Sequence, residues 1–113
     1  MTPAVVLAAM MRLAPYHGDH DTAAERRALL APIAAAFASV ARTPEEAAAL
    51  VAVAWSETKF ARLVLTGHCD QMPAGQRCDN GHARGVLQVH KWCRDAWAVP
   101  DGSPESYVAA ARC

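Results

Sequence analysis

Four cysteines in the second half of the chain restrict its possible folds more than any other feature. They are Cys69, Cys78, Cys93 and Cys113, an even set that allows three pairings. Cys69 and Cys78 enclose a turn-rich segment, and a bridge between them would stabilise the fold by roughly 2–3 kcal/mol. The other two would then connect the C-terminal helix to the body of the domain. We therefore predict the disulfides Cys69–Cys78 and Cys93–Cys113, which point to an oxidising compartment.

Zinc binding is the main alternative to disulfides, because histidines stand near these cysteines. Structural zinc sites usually combine closely spaced ligand pairs, and the only compact pair here is His90 with Cys93. We expect disulfides, with no metal and no cofactor, and keep zinc or free thiols as alternatives. Six residues could serve as zinc ligands: His68, Cys69, Cys78, His82, His90 and Cys93.

The composition favours a single helical domain over residues 1–113. Hydrophobic residues make up 53% of the chain, many of them alanine, and aromatic residues only 6%. Such a chain is long enough for one core and favours close-packed helices, with at most a very small β element. Eleven basic and eleven acidic residues cancel, and no basic run suggests a nucleic acid partner.

Membrane insertion is not expected either. No apolar run approaches the ~20 residues that a membrane span requires. The apolar N-terminus lacks the positively charged segment of a signal peptide, so we interpret it as a first helix.

Apolar spacing predicts two N-terminal helices. The first covers residues 3–13, and the segment from Pro15 to Asp21 interrupts the periodicity. The second begins after a cap at Asp21 or Thr22. Pro32 lies inside it and predicts either a kink or two helices that meet at the preceding residue.

A third helix begins with the clearest signal in the chain, Thr43-Pro44-Glu45-Glu46. Thr43 is expected to cap the helix, Pro44 to occupy its first position and Glu46 to complete a capping box. The helix should continue to about Lys59.

Glu57 is the candidate catalytic residue of this helix. It shares a face with Leu50, Val53 and Ala54, which predicts that it lies on the buried side near the helix end. Burial and the negative end of the helix dipole would both favour its neutral form, as a general acid requires. The alternative is a structural glutamate paired with a nearby Lys59, Arg62 or Arg84.

Residues 61–84 are expected to form a loop, apart from a short extended piece at 63–65. Long loops in small domains are usually functional, and this one contains Asp70 and Asp79. The apolar segment 85–89 follows, with Gln88 as either a buried amide or a substrate contact.

The C-terminal part should hold a helical turn near Cys93–Trp97 and a last helix from Ser103 to Cys113. Trp92, Trp97 and Tyr107 would close the core or line a groove.

Two segments of the chain resemble a known enzyme family. Ser56-Glu57-Thr58-Lys59-Phe60 is similar to the Glu-Ser-x-Phe signature of soluble lytic transglycosylases and goose-type lysozymes. Gly85-Val86-Leu87-Gln88-Val89 resembles the Gly-Leu-Met-Gln-Ile/Val segment that follows in the same enzymes. The resemblance covers about residues 44–93 and implies a lysozyme-like domain.

What the resemblance implies is cleavage of the β-1,4 bond between N-acetylmuramic acid and N-acetylglucosamine in peptidoglycan. Glu57 would be the general acid, and Asp70, or less favourably Asp79, a second carboxylate. An inverting lysozyme needs that carboxylate ~6.5–9.5 Å away; in a lytic transglycosylase Glu57 would act as acid and then as base. The implied substrate-binding residues are Gln88, Phe60, Gly85, Val86 and Trp92.

The chain also departs from the family pattern. Thr58 replaces the family's serine but keeps a hydroxyl group, and the Ala-Tyr-Asn motif that helps line the family's cleft is absent. A non-catalytic peptidoglycan-binding or structural module on a lysozyme-like scaffold is therefore the alternative. Either function implies peptidoglycan glycan strands as partner and a monomeric bacterial or phage protein in the periplasm or outside the cell.

Overall fold

Helix caps define most element boundaries in the structure, a computed structural model that describes residues 1–13 and 21–113. Within these ranges the chain forms seven helical elements, a 3-10 turn and no β-sheet. The prediction of a mainly helical domain with at most a very small β element is thus confirmed. The elements are α1 (Pro3–Leu13), α2 (Ala23–Val40), α3 (Pro44–Thr58), α4 (Arg62–Leu65), the 3-10 turn (Cys69–Gln71), α5 (Cys78–Gly81), α6 (Arg94–Trp97) and α7 (Pro104–Arg112).

Helix α2 begins at a complete capping box. The Thr22 hydroxyl accepts a hydrogen bond from the Glu25 N–H, and the Glu25 carboxylate accepts one from the Thr22 N–H. The helix continues through Pro32 to Val40, so the alternative of two separate helices is wrong. The predicted interruption that begins at Pro15 lies largely outside the described residues.

Helix α3 has only half of its predicted capping box. Thr43 accepts a hydrogen bond from the Glu46 N–H at 3.1 Å, and Pro44 occupies the first turn. The Glu46 carboxylate, however, accepts from the N–H of Arg42 at 2.6 Å instead of from Thr43.

The segment 63–65 is helical, so the prediction of an extended piece there is wrong. The Leu65 N–H donates to Ala61 O and the Thr66 N–H to Arg62 O, which closes one turn. This turn buries Val64 and Leu65 together, whereas an extended chain would place them on opposite sides.

Helix α2 lies at the centre of the fold and packs against α1, α3 and α7. Its buried side chains, with those of the neighbouring elements, form one main core that also receives Phe60 and Val86 from the connecting segments. Among the described residues, the largest fully buried hydrophobic side chains are Phe37, Phe60, Met10, Leu30, Ile33, Leu65, Val86 and Cys93.

A buried ionic group fixes the end of α3 to the start of α2. Arg26 is fully buried and donates hydrogen bonds to Asp21 at 3.3 Å and to Phe60 O at 2.9 Å. Arg62 donates to the same Asp21 carboxylate at 2.9 Å. Burial alone would raise the pKa of Asp21, but hydrogen bonds from Arg62 and Arg26 outweigh it and lower that pKa.

Both predicted disulfides, Cys69–Cys78 and Cys93–Cys113, are present. The first closes the loop before α5, and the second attaches the end of α7 to the segment before α6. In the described part of the chain, none of the helices is both long and apolar enough to cross a membrane.

Candidate functional site

Glu57 lies on the exposed side of α3, so the prediction that it belongs to the buried face is wrong. The buried face is shifted by one position along the helix and consists of Ala47, Val51, Ala54 and Thr58. Small residues suit this face because they let α3 approach its neighbours closely. Glu57 is therefore accessible to solvent and to a ligand.

The end of α3 is fixed in a sharp turn beside Glu57. Lys59 and Phe60 have φ angles of 50° and 55°, in the left-handed region that non-glycine residues rarely adopt. Thr58 holds the turn, since its hydroxyl donates to Ala54 O at 2.7 Å and accepts from the Phe60 N–H at 3.0 Å. The turn directs Phe60 into the core, edge-on to Trp55 with ring centres 5.4 Å apart.

The second motif segment forms a tight turn closed by an isolated antiparallel bridge. Arg84 and Val89 exchange two backbone hydrogen bonds of 3.0 Å. Within the turn Gln88 has a φ of 50°, and its amide donates to Gly85 O at 2.9 Å and approaches Cys78 Sγ at 3.2 Å. Gln88 is therefore a half-buried amide held by its own turn.

Phe60 and Val86 lie in the core, 0% and 1% exposed, so they can contribute to a site only by packing beneath it. Gly85 is also buried.

The disulfide-closed loop forms one wall of a polar cleft of about 460 Å³. This volume lies within the ~300–1,000 Å³ typical of ligand pockets. Asp70, in the 3-10 turn, lines the cleft, whereas Glu57 and Gln88 are not among its described lining residues. The charged, polar and aromatic residues that line the cleft include Asp70, Arg77, Asn80, Arg84, Trp97 and Asp101.

Arg84 is the most constrained cation of the cleft. Its guanidinium lies 4.4 Å from the ring centre of Trp97, and Nη1 donates to the carbonyl oxygens of Trp97 and Val99 at 3.3 Å. The Trp97 indole N–H in turn donates to Val89 O at 3.1 Å. Trp97 therefore supports Arg84 and belongs to the cleft wall.

Asp101 faces Arg84 across the cleft wall with its Oδ2 atom 4.0 Å from Arg84 Nε. Its Oδ1 atom is buried and has no hydrogen-bond partner among the described residues. Burial raises the pKa of Asp101, and Arg84, the Gly102 N–H and His68 only partly oppose this effect. A carboxyl group of raised pKa in a cleft marks a candidate functional residue.

The remaining predicted site residues lie elsewhere. Asp79 is 62% exposed, with its carboxylate 3.9 Å from His90 Nε2. Trp92 is 71% exposed and lines a separate apolar groove of about 440 Å³, together with Val53 and Leu87. The structure thus brings Asp70 into the polar cleft and places Asp79 and Trp92 outside its lining.

The sequence pattern did not indicate Asp101 as a candidate functional residue, nor that Arg84 lines the cleft. Asp101 stands in Pro100-Asp101-Gly102, a pattern typical of an exposed turn, and nothing in the pattern indicates burial. Only the three-dimensional approach of residues 66–67 to 101–102 encloses it.

The zinc alternative loses its thiolate ligands, because all four cysteines form disulfides. Among the described residues, no group of three or more potential ligands is arranged to hold a metal ion.

Comparison with protein-family models, with characterised proteins and with solved structures found no match to this chain. The resemblance to lytic transglycosylases and goose-type lysozymes therefore depends on the two short motifs alone.

Proposed function

We propose that this protein is a glycosidase that cleaves the β-1,4-linked glycan strands of peptidoglycan, with Glu57 as the general acid. The observation that carries the proposal is the packing of the two motifs on one core. Phe60 and Val86 belong to the same buried cluster, although twenty-five residues separate them. Glu57 precedes Phe60 by three positions and Gln88 follows Val86 by two, so a common core supports both polar residues.

The rigid end of α3 is a second support. A catalytic carboxyl group needs a fixed backbone, and the left-handed turn held by Thr58 and by the Arg26–Phe60 hydrogen bond supplies one immediately after Glu57. The threonine hydroxyl that replaces the family's serine makes both of its hydrogen bonds within this turn.

Because Glu57 is exposed, the substrate itself has to exclude water from it. A glycan strand bound across the end of α3 would desolvate the carboxyl group and favour its neutral form. Glu57 then donates its proton to the glycosidic oxygen as the bond to the anomeric carbon breaks. In a hydrolase, a carboxylate such as Asp70 would take up a proton from water as the water oxygen bonds to the anomeric carbon. In a lytic transglycosylase, the Glu57 carboxylate would instead take up the proton of the muramyl 6-hydroxyl as that oxygen bonds to the anomeric carbon.

A direct test is cleavage of purified peptidoglycan, followed by analysis of the released fragments. The wild-type protein should release soluble muropeptides, and Glu57→Gln should lower the rate at least ~100-fold, the usual contribution of a general acid. Glu45→Gln is the matched control, because Glu45 is an exposed glutamate on the same helix. Reducing ends among the products would identify a hydrolase, and anhydro ends a lytic transglycosylase.

A non-catalytic peptidoglycan-binding module is the second candidate, favoured by the exposure of Glu57. It predicts that the protein sediments with peptidoglycan without releasing fragments, and that Glu57→Gln sediments equally well. Equal fragment release by the wild type and Glu57→Gln would contradict the catalytic proposal.

A further inference from the structure

We propose that the cleft between the Cys69–Cys78 loop and the segment before α7 is a binding site for an N-acetylated sugar. Arg84 and Asp101 would recognise this sugar by hydrogen bonds to its acetamido group. The location of the site rests on the geometry of the cleft. The choice of an amino sugar as ligand rests on the proposed function.

Arg84 and Asp101 are held in place, but they do not form a direct hydrogen bond with each other. A structural Arg–carboxylate pair typically forms two short parallel hydrogen bonds. Here the shortest contact is 4.0 Å, and the hydrogen bonds of Arg84 go to two backbone carbonyl groups. Arg84 thus keeps N–H groups, and Asp101 keeps its Oδ2 atom, for hydrogen bonds to a third group, whereas the Oδ1 atom of Asp101 is too buried to contact a ligand.

The backbone around Asp101 is closely packed, so a loose loop does not explain the 4.0 Å separation between Arg84 and Asp101. A Cβ atom on Gly67 would lie 2.5 Å from Asp101 O, and one on Gly102 would lie 2.3 Å from the Thr66 carbonyl carbon. The two segments are thus in direct backbone contact. The buried Tyr107 hydroxyl lies 2.9 Å from both Leu65 O and Gly102 O, and so joins the same two segments.

The carboxyl group of Asp101 is only partly accessible. Its Oδ1 atom is buried, while the side chain as a whole keeps 19% of its surface. Behind the carboxyl group, Gly85 and Ser106 border a void of about 10 Å³, at the lower limit for a single water molecule. Asp101 also lines the 460 Å³ cleft, from which a ligand can reach its side chain.

The charges of the cleft select a neutral polar ligand. Asp70 and Asp101 balance Arg77 and Arg84, so the described residues of the lining have no net formal charge. It nevertheless offers donors and acceptors side by side. A secondary amide complements this pair, because its carbonyl oxygen can accept from Arg84 while its N–H donates to the Asp101 carboxylate.

Titration calorimetry with the β-1,4-linked trimer of N-acetylglucosamine tests the proposal, in the Glu57→Gln background to prevent turnover. The trimer should bind, and Asp101→Ala or Arg84→Gln should weaken binding at least about tenfold through loss of a charge-assisted hydrogen bond. Asp95→Ala and Arg94→Gln, exposed in α6 and outside the cleft, are the matched controls and should bind as before.

The matching trimer of glucose, which lacks the acetamido groups, should bind at least about tenfold more weakly. If Asp101→Ala does not fold, Asp101→Asn keeps the shape of the side chain, removes its charge and should weaken binding severalfold. Absence of trimer binding, equal affinity for both trimers, or unchanged affinity in the folded cleft variants would each overturn the inference.

The two proposals fail in different ways. Peptidoglycan cleavage that depends on Glu57 but is unchanged in the Asp101 and Arg84 variants, with no trimer binding at the cleft, would overturn this inference alone. Trimer binding at the cleft without any cleavage of peptidoglycan would overturn the proposed glycosidase activity alone.

Discussion

At the scale of single residues, Asp101 sits where burial opposes its charge. Its pKa is raised, so the folded protein binds a proton at Asp101 more readily than the unfolded chain does. Above the folded-state pKa the native state carries the full cost of a buried charge. Between that pKa and the ordinary value of about 3.9, protonation removes this cost. A polar group that destabilises the fold in this way is typical of functional sites.

Asp101→Asn should therefore stabilise the free protein at neutral pH, by about 1 kcal/mol. The gain should shrink as the pH falls, because the wild-type carboxyl group becomes neutral as well. Thermal unfolding of both proteins at pH 7 and near pH 3.5 measures this difference. Asp95→Asn, an exposed aspartate in α6, is the control and should show little change. A loss of stability at pH 7 would mean that attraction to Arg84 outweighs the burial of Asp101.

At the scale of elements, capping residues predicted helix starts well, but the buried face of α3 could not be predicted. Thr43 and Pro44 give a local signal that needs no tertiary partner. The face of α3, in contrast, is hard to identify because alanine fits both a core and a surface. Leu50 and Val53 look like the apolar stripe, yet Val53 is 47% exposed. The same ambiguity led to the wrong prediction that Glu57 is buried.

Matched substitutions on α3 test this face directly. Val51 is 6% exposed and belongs to the main core, so Val51→Ala should lower the free energy of unfolding by about 2 kcal/mol. Val53→Ala, two positions along the same helix, should change it by less than about 0.5 kcal/mol. Urea unfolding of both variants gives the comparison. If Val53→Ala lowered the free energy of unfolding more than Val51→Ala, the buried face of α3 would be the one predicted from the sequence.

At the scale of the whole molecule, both disulfides should stabilise the fold, but they differ in whether they line the polar cleft. The radius of gyration of 13.0 Å matches the value of about 13 Å for a compact chain of this length. Cys69 and Cys78 line the polar cleft, whereas Cys93 and Cys113 do not. Sequence spacing predicted both pairings, because a local bridge leaves only one partner for each remaining cysteine. It could not predict that the first bridge forms a cleft wall, since that depends on how residues 84–101 fold back against the loop.

Removing each bridge in turn should therefore have different consequences. On the loop-entropy model, Cys93→Ser with Cys113→Ser should lower the free energy of unfolding by about 3 kcal/mol, and Cys69→Ser with Cys78→Ser by about 2.5 kcal/mol. At a temperature where both variants remain folded, only the variant that lacks the Cys69–Cys78 bridge should lose affinity for the N-acetylglucosamine trimer, because that bridge forms a wall of the cleft. Urea unfolding and calorimetry on the same preparations measure both effects. Equal loss of affinity in the two variants would show that trimer binding depends on overall stability and not on the cleft wall formed by Cys69 and Cys78.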